Sequence, residues 1–155
     1  MTTLKKKVAA TLLSFSLVGV TALLNHEGVV LPAYVDPVGV VTVCAGHTKT
    51  AKLGQLKTLA QCEQLLKEDT AYAEAVVRRK VTVPITQEQY DSLVSFVFNV
   101  GSGAFASSTL LRKLNAGDCW GAGAQFIRWD KAKGRRLKGL TIRRADERAN
   151  FETAC

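Results

Sequence analysis

A chain of 155 residues, 47% hydrophobic and 22% charged, can bury one sizeable core and has none of the bias of a disordered or fibrous protein. Its formal charge of +8 points to an anionic partner: a cell-wall polymer, a membrane surface or a nucleic acid. With two His and no Cys-x-x-Cys, the donor sets of ordinary zinc sites are missing, and neither metal nor cofactor is expected.

Lys5, Lys6 and Lys7 precede residues 8–24, a run without a charged side chain, which is the order of an export signal's basic and apolar regions. At about 1.5 Å per residue this run spans roughly 26 Å as a helix, short of the roughly 30 Å hydrocarbon core. Eight of its residues are Ala, Gly, Ser or Thr, so it predicts a weakly held anchor. VTA at 20–22 is a poor cleavage site, and the segment is expected to stay on the chain. The positive-inside tendency keeps the Lys cluster cytoplasmic and puts residue 25 onward in the periplasm, beyond the inner membrane that residues 8–24 would enter. On a helix, Lys7, Thr11, Ser14, Thr21 and Asn25 share one stripe interrupted only by Val18, so the segment is also suited to lie on its own protein as a surface helix. A buried first helix is the plainer alternative. The expected organisation is an N-terminal segment, 1–24, and one domain, 25–155.

Residues 28–50 hold two Pro, three Gly and the β-branched run from Val38 to Val43, which predicts a small sheet or hairpin. Thr58 and Gln61 have capping-box spacing, and the three-four pattern after them predicts a helix running to the Arg78, Arg79, Lys80 cluster. A second box, Thr86 with Gln89, opens a strongly apolar helix that Gly101 is placed to end. Further helices are expected at about 107–115, 119–131 and 140–152. The fold class is α+β, a small sheet-bearing lobe followed by a larger helical one.

Glu27 is followed by eight residues and then Asp36, and Asp36 by five and then Thr42. Glycoside hydrolysis needs such a pair, one carboxyl protonated to donate to the leaving oxygen and one ionised to activate water, and a hydroxyl near the second can hold that water. The spacing alone is weak, since 13 acidic residues produce several such pairs, and two solvated surface acids are the plain reading.

The surrounding segments add a context. NHEG at 25–28, GVVTVCAGHT at 39–48, SFVFNVGSGAFASSTLLRKLNAGD at 95–118 and KGLTIRRADE at 138–147 resemble the phage lysozyme family, glycoside hydrolase family 24. The resemblance implies a lysozyme-like fold with the active cleft between the two lobes. It implies cleavage of the β-1,4 bond between N-acetylmuramic acid and N-acetylglucosamine in peptidoglycan, and host cell lysis. It assigns Glu27 as general acid, Asp36 as the carboxylate that activates water and Thr42 as the hydroxyl that positions it, with inversion at the sugar carbon. The N-terminal segment is similar to the signal-anchor-release segment of lambdoid phage endolysins, which implies an inactive tethered enzyme that later becomes soluble in the periplasm. Only Asn25 and His26 separate Leu24 from Glu27, so an inserted anchor would hold the acid at the membrane surface. With no Cys in residues 1–43, the expected control is steric and needs no thiol exchange.

Cys44 and Cys62 flank the expected hairpin and the next helix, while Cys119 and Cys155 are placed to tie the last helix to the one before. These two bridges are expected among the three connectivities that four Cys allow, with buried free thiols as the alternative. His47 reads as structural, paired with Asp69. Phe105, in the Gly-rich turn, is the aromatic expected to meet a sugar; the other aromatics read as core. NVGSG at 99–103 lacks the ending of a phosphate loop and reads as a helix stop. Basic clusters at 78–80, 133–136 and 143–144 predict solvated faces drawn to anionic wall and membrane material, without a nucleic-acid motif. A monomer acting on peptidoglycan is the expectation, and a lytic transglycosylase or a noncatalytic wall-binding protein on the same fold are the rival readings.

Overall fold

The computed structural model describes residues 4–155; the first three residues of the N-terminal segment lie outside the described residues. The chain forms two compact units, residues 17–71 and a larger one that joins the N-terminal residues up to Ser16 with 72–155.

The smaller unit opens with α1 (Leu17–Glu27), whose Gly19, Val20, Leu23 and Leu24 are buried. These positions recur at one-four spacing, so one face packs on α2 (Leu59–Asp69) while Val18, Thr21 and Asn25 face solvent. That much of the expected polar stripe exists, but the helix does not extend back to Lys7. Gly28, at φ +74°, ends α1 in the left-handed conformation open to glycine, and its N–H donates to Leu24 O at 2.9 Å. Strands β1 (Val30–Val35) and β2 (Val41–Cys44) pair antiparallel. Between the pairs Val30↔Cys44 and Tyr34↔Thr42 the register shifts, and the bulged stretch turns its other edge to residues 55–57, with Ala33 N to Gln55 O at 2.9 Å and Lys57 N to Leu31 O at 3.0 Å. Such a bulge bends the strand. Val43, Cys44 and Cys62 form the unit's small core, closed by the Cys44–Cys62 disulfide.

The capping box at Thr58 and Gln61 is formed, but the helix it opens stops at Asp69 and resumes as α3 (Ala71–Lys80). Thr70 turns its hydroxyl back onto Leu66 O at 2.9 Å, the local competition by which Thr interrupts a helix.

In the larger unit the box at Thr86 and Gln89 opens α4 (Gln87–Val100), which Gly101 ends at φ +93°. Residues 89–97 of α4 are all buried, so it is the central helix, packed chiefly on α8 (Lys138–Glu152). Phe96 stands edge-on to Phe105, Phe126 and Trp129 at 5.3–6.3 Å, an arrangement aromatic rings prefer. A short α5 (Ser102–Ala106) precedes α6 (Thr109–Asn115), which Ser108 caps. Asp118 caps α7 (Cys119–Gln125), and a 3₁₀ turn, Phe126–Trp129, continues it. Where the sequence predicted helix to 131, strands β3 (Lys131–Ala132) and β4 (Arg135–Arg136) form a hairpin. The second disulfide, Cys119–Cys155, is the expected one.

Residues 4–16 run as an extended segment with one 3₁₀ turn at Ala10–Leu12. Val8 exchanges two backbone hydrogen bonds with Ile85, both 2.8 Å. Beyond the turn, side chains of the larger unit meet the segment's backbone. Arg78 donates to Leu13 O at 2.8 and 3.1 Å, Gln87 donates to Ser14 O at 2.8 Å, and Glu74 accepts from Phe15 N at 2.6 Å. Asp91 accepts from Ser16 N at 3.0 Å and from its hydroxyl. The helical spacing seen in the sequence loses here because these partners reward an extended backbone.

Burial pushes the Asp91 carboxyl above its ordinary range, with the Ser16 hydrogen bonds opposing that shift. Ionising it in the folded protein therefore costs stability: its contribution is fully present below the unfolded value of about 3.9 and is lost as pH rises through the raised one. Asp91→Asn, which does not ionise, should gain in Tm relative to the unsubstituted chain as pH rises from about 4 to about 7. A difference that stays constant across that range would contradict this account.

Candidate active site

The three residues singled out for chemistry all lie in the smaller unit. Glu27 is the last residue of α1 and is exposed. Asp36 follows β1 directly and begins the turn Asp36-Pro37-Val38-Gly39, closed by Gly39 N to Asp36 O at 3.0 Å. Asp first, Pro second and Gly last is the residue order such a turn favours. Asp36 Oδ1 accepts from the amides of Val38 and Val40, at 2.9 and 2.8 Å, which fixes the rotamer and commits that oxygen to the turn.

Thr42 is the second residue of β2, and only 4% of it is exposed. Val35 pairs with Val41 and Tyr34 with Thr42, so alternation along the strands puts Asp36 and Thr42 on one face as diagonal neighbours. Val40 couples them. Its N–H binds the Asp36 carboxylate, and its carbonyl accepts from Asp36 N at 2.9 Å and from Thr42 Oγ1 at 3.1 Å. The role of the Val40 peptide groups was not read from the sequence, although the Asp-Pro-Val-Gly turn carries the signal. β1 reaches Asp36 through its bulge, so the stretch from Glu27 to Asp36 is not a straight strand.

His47 is buried beside this hairpin but is used structurally. Its Nδ1 lies 2.8 Å from Asp69 Oδ2 and its Nε2 2.8 Å from Thr50 Oγ1. The Thr50 amide donates to Nε2 at 3.3 Å, which makes Nε2 an acceptor and places the ring proton on Nδ1, directed at Asp69. The expected His47–Asp69 pair is therefore present.

Two expectations are corrected in the larger unit. Phe105 is fully buried and packs edge-on against Phe96 at 6.3 Å, so it is core and offers no face to a sugar. Arg143 and Arg144, expected on a solvated face, are 4% and 0% exposed. Glu147 takes Arg143 Nε at 3.1 Å and Ser95 Oγ at 2.8 Å, and its other oxygen lies 3.2 Å from Arg144 Nε. Arg144 also lies over the Phe96 ring, 5.0 Å from its centre, and donates to Asn99 Oδ1 at 2.6 Å. Burial is possible because the opposing carboxylate sits one helical turn along, on the same face of α8.

The model of the family described as phage lysozyme matches residues 24–147. The chain belongs to the phage lysozyme family. It is 45% identical over 140 residues to the endolysin of Acyrthosiphon pisum secondary endosymbiont phage 1, covering 88% of this chain and 96% of that protein. It is 39% identical over 159 residues to the SAR-endolysin of Escherichia phage Mu, covering 96% of this chain and 93% of that one. Among solved structures, a mutant of P22 lysozyme superposes with a TM-score of 0.83 at 38% identity, over 90% of this chain and 99% of that one. The α+β architecture is thus lysozyme-like, and this phage lysozyme is a muramidase whose substrate is peptidoglycan and whose function is lysis.

Proposed function

We propose that this phage lysozyme hydrolyses the β-1,4 bond between N-acetylmuramic acid and N-acetylglucosamine with Glu27, Asp36 and Thr42. The observation that carries the reading is the hydrogen bonding of Asp36 and Thr42 to one residue's peptide groups, those of Val40. With Oδ1 held by two amides, Asp36 keeps Oδ2 for a water. Thr42, whose hydroxyl proton is given to Val40 O, keeps lone pairs for the same water. A water donating one proton to each has its own lone pair left for the anomeric carbon, the arrangement of an inverting hydrolase. Glu27 supplies the proton to the departing oxygen.

We further propose that residues 1–24 first tether the enzyme to the host inner membrane and then leave it for the periplasm. Among the described residues no helix is long and apolar enough to cross a membrane; α1 has 11 residues. What supports release is the set of partners for residues 13–16, in which Glu74, Arg78, Gln87 and Asp91 take the backbone groups that water or a helix would otherwise satisfy. Control in this reading is steric, because Glu27 lies three residues beyond Leu24 and both disulfides lie beyond residue 43.

The test is fractionation of expressing cells before and after membrane depolarisation, with product analysis of peptidoglycan digested by each fraction. Activity should move from membrane to periplasm without added reductant, and the products should carry reducing-end muramic acid. Anhydro-muramic ends would identify a transglycosylase instead, no digestion a noncatalytic wall binder, and a reductant requirement a thiol-based control.

A further inference from the structure

The larger unit carries a cationic element that the muramidase reaction does not use. In β3–β4 the turn residues Lys133 and Gly134 have φ of 50° and 76°, the backbone of a tight two-residue hairpin. That turn projects basic side chains in a short span. Arg128, Lys131, Lys133, Arg135 and Lys138 are all exposed, and none forms an ion pair with a described residue. The one acid between residues 127 and 142 is Asp130; it is 4% exposed and taken by Arg136 at 2.9 Å and by the Thr141 hydroxyl at 3.2 Å. Residues 127–142 thus present five cations and no exposed carboxylate, and the next acid, the exposed Asp146, follows one turn beyond Ile142 on α8. The cluster at 78–80 differs, since Arg78 is spent on Leu13 O and Glu74.

Three apolar side chains flank the base of the hairpin. Ile127 is 49% exposed, Leu137 45% and Ile142 49%. Leu137 leaves the hairpin with its N–H on Asp130 O at 3.0 Å, and Ile142 shares a face of α8 with Lys138, four residues earlier. Large apolar groups half in water beside unpaired cations suit the headgroup region of a bilayer, where charge meets anionic lipid and the apolar tips enter the acyl boundary. A wall glycan or a nucleic acid would use the cations and gain nothing from the apolar trio.

We propose that the hairpin and its apolar base form a docking surface for anionic lipid bilayers, holding the enzyme at a membrane face. The proposal does not depend on the catalytic assignment, because lipid binding is measured without turnover. The experiment is co-sedimentation of the full chain with vesicles of phosphatidylglycerol and phosphatidylcholine in equal parts, against phosphatidylcholine alone. The variant is Lys131→Gln/Lys133→Asn/Arg135→Gln, with Asn at the left-handed position because it tolerates that backbone. The control is Lys52→Gln/Arg79→Gln/Lys80→Gln, an equal loss of exposed charge placed elsewhere.

At about fivefold per cation, the hairpin variant should bind the anionic vesicles about a hundredfold more weakly, while the control stays within roughly threefold. Every protein carries the same N-terminal segment, so its contribution cancels in the ratio. Binding of the unsubstituted chain should also fall as salt rises. Equal losses in variant and control would reduce the effect to net charge and overturn the proposal. So would an unchanged hairpin variant, or one that loses sedimentation with purified sacculi while keeping its hold on vesicles.

Discussion

Replacing Glu27 by Gln should lower turnover of peptidoglycan by about 10²–10⁴-fold, the contribution of a positioned proton donor, while leaving Tm unchanged or raised. Both halves follow from where Glu27 stands. The amide has the shape of the carboxyl and no proton of suitable acidity to give. The position is the last of α1, where the negative end of the helix dipole disfavours a carboxylate by a few tenths of a kcal/mol or more. Turbidity loss of a cell-wall suspension, read beside a thermal melt of the same preparation, checks the pair of outcomes. Full activity in the Gln variant would remove Glu27 from the mechanism.

Glu147→Gln should have the opposite profile, a large loss of stability measured by urea unfolding. Arg143 and Arg144 are both buried, and each ion-pairs with this carboxylate. Removing its charge breaks both of these buried ion pairs, and breaking a buried pair in this way costs about 3–5 kcal/mol. The Ser95 hydroxyl and the Asn99 amide oxygen hold dipoles and cannot replace the charge. A loss below about 1 kcal/mol, the range of an exposed pair, would mean that water reaches the cluster.

What could be read from the sequence was what is decided within a few residues. Both Thr–Gln capping boxes formed, as did the stop at Gly101, because a cap needs only its own turn. The two disulfides and the His47–Asp69 pair were also anticipated, each joining neighbouring elements. The phage lysozyme family was legible in four quoted segments spread between residues 25 and 147. What escaped depends on partners far along the chain. The extended course of residues 4–16 is decided by backbone and side-chain groups between 74 and 91, and no local pattern announces them. The hairpin at 131–136 has strands of two residues, too short for any alternation to register. Arg143 and Arg144 read as surface charge because Arg is seldom fully buried unless it is paired. The spacing to Glu147 was visible, and the helix dictates the rest. At the candidate site the acids and the hydroxyl were named from spacing and resemblance, but the part played by the Val40 peptide groups belongs to the turn's geometry.

The larger unit is discontinuous, with the smaller one inserted after Ser16. Synthesis therefore delivers its first piece, then the whole of the continuous smaller unit, and only afterwards the helices that the first piece needs. Lys5 must find Glu88 and Thr153, contacts spanning up to 148 residues, and closing such long loops slows folding. Assembly of the larger unit is thus a late event for the ribosome's product, reached after the residues proposed for catalysis have already been made.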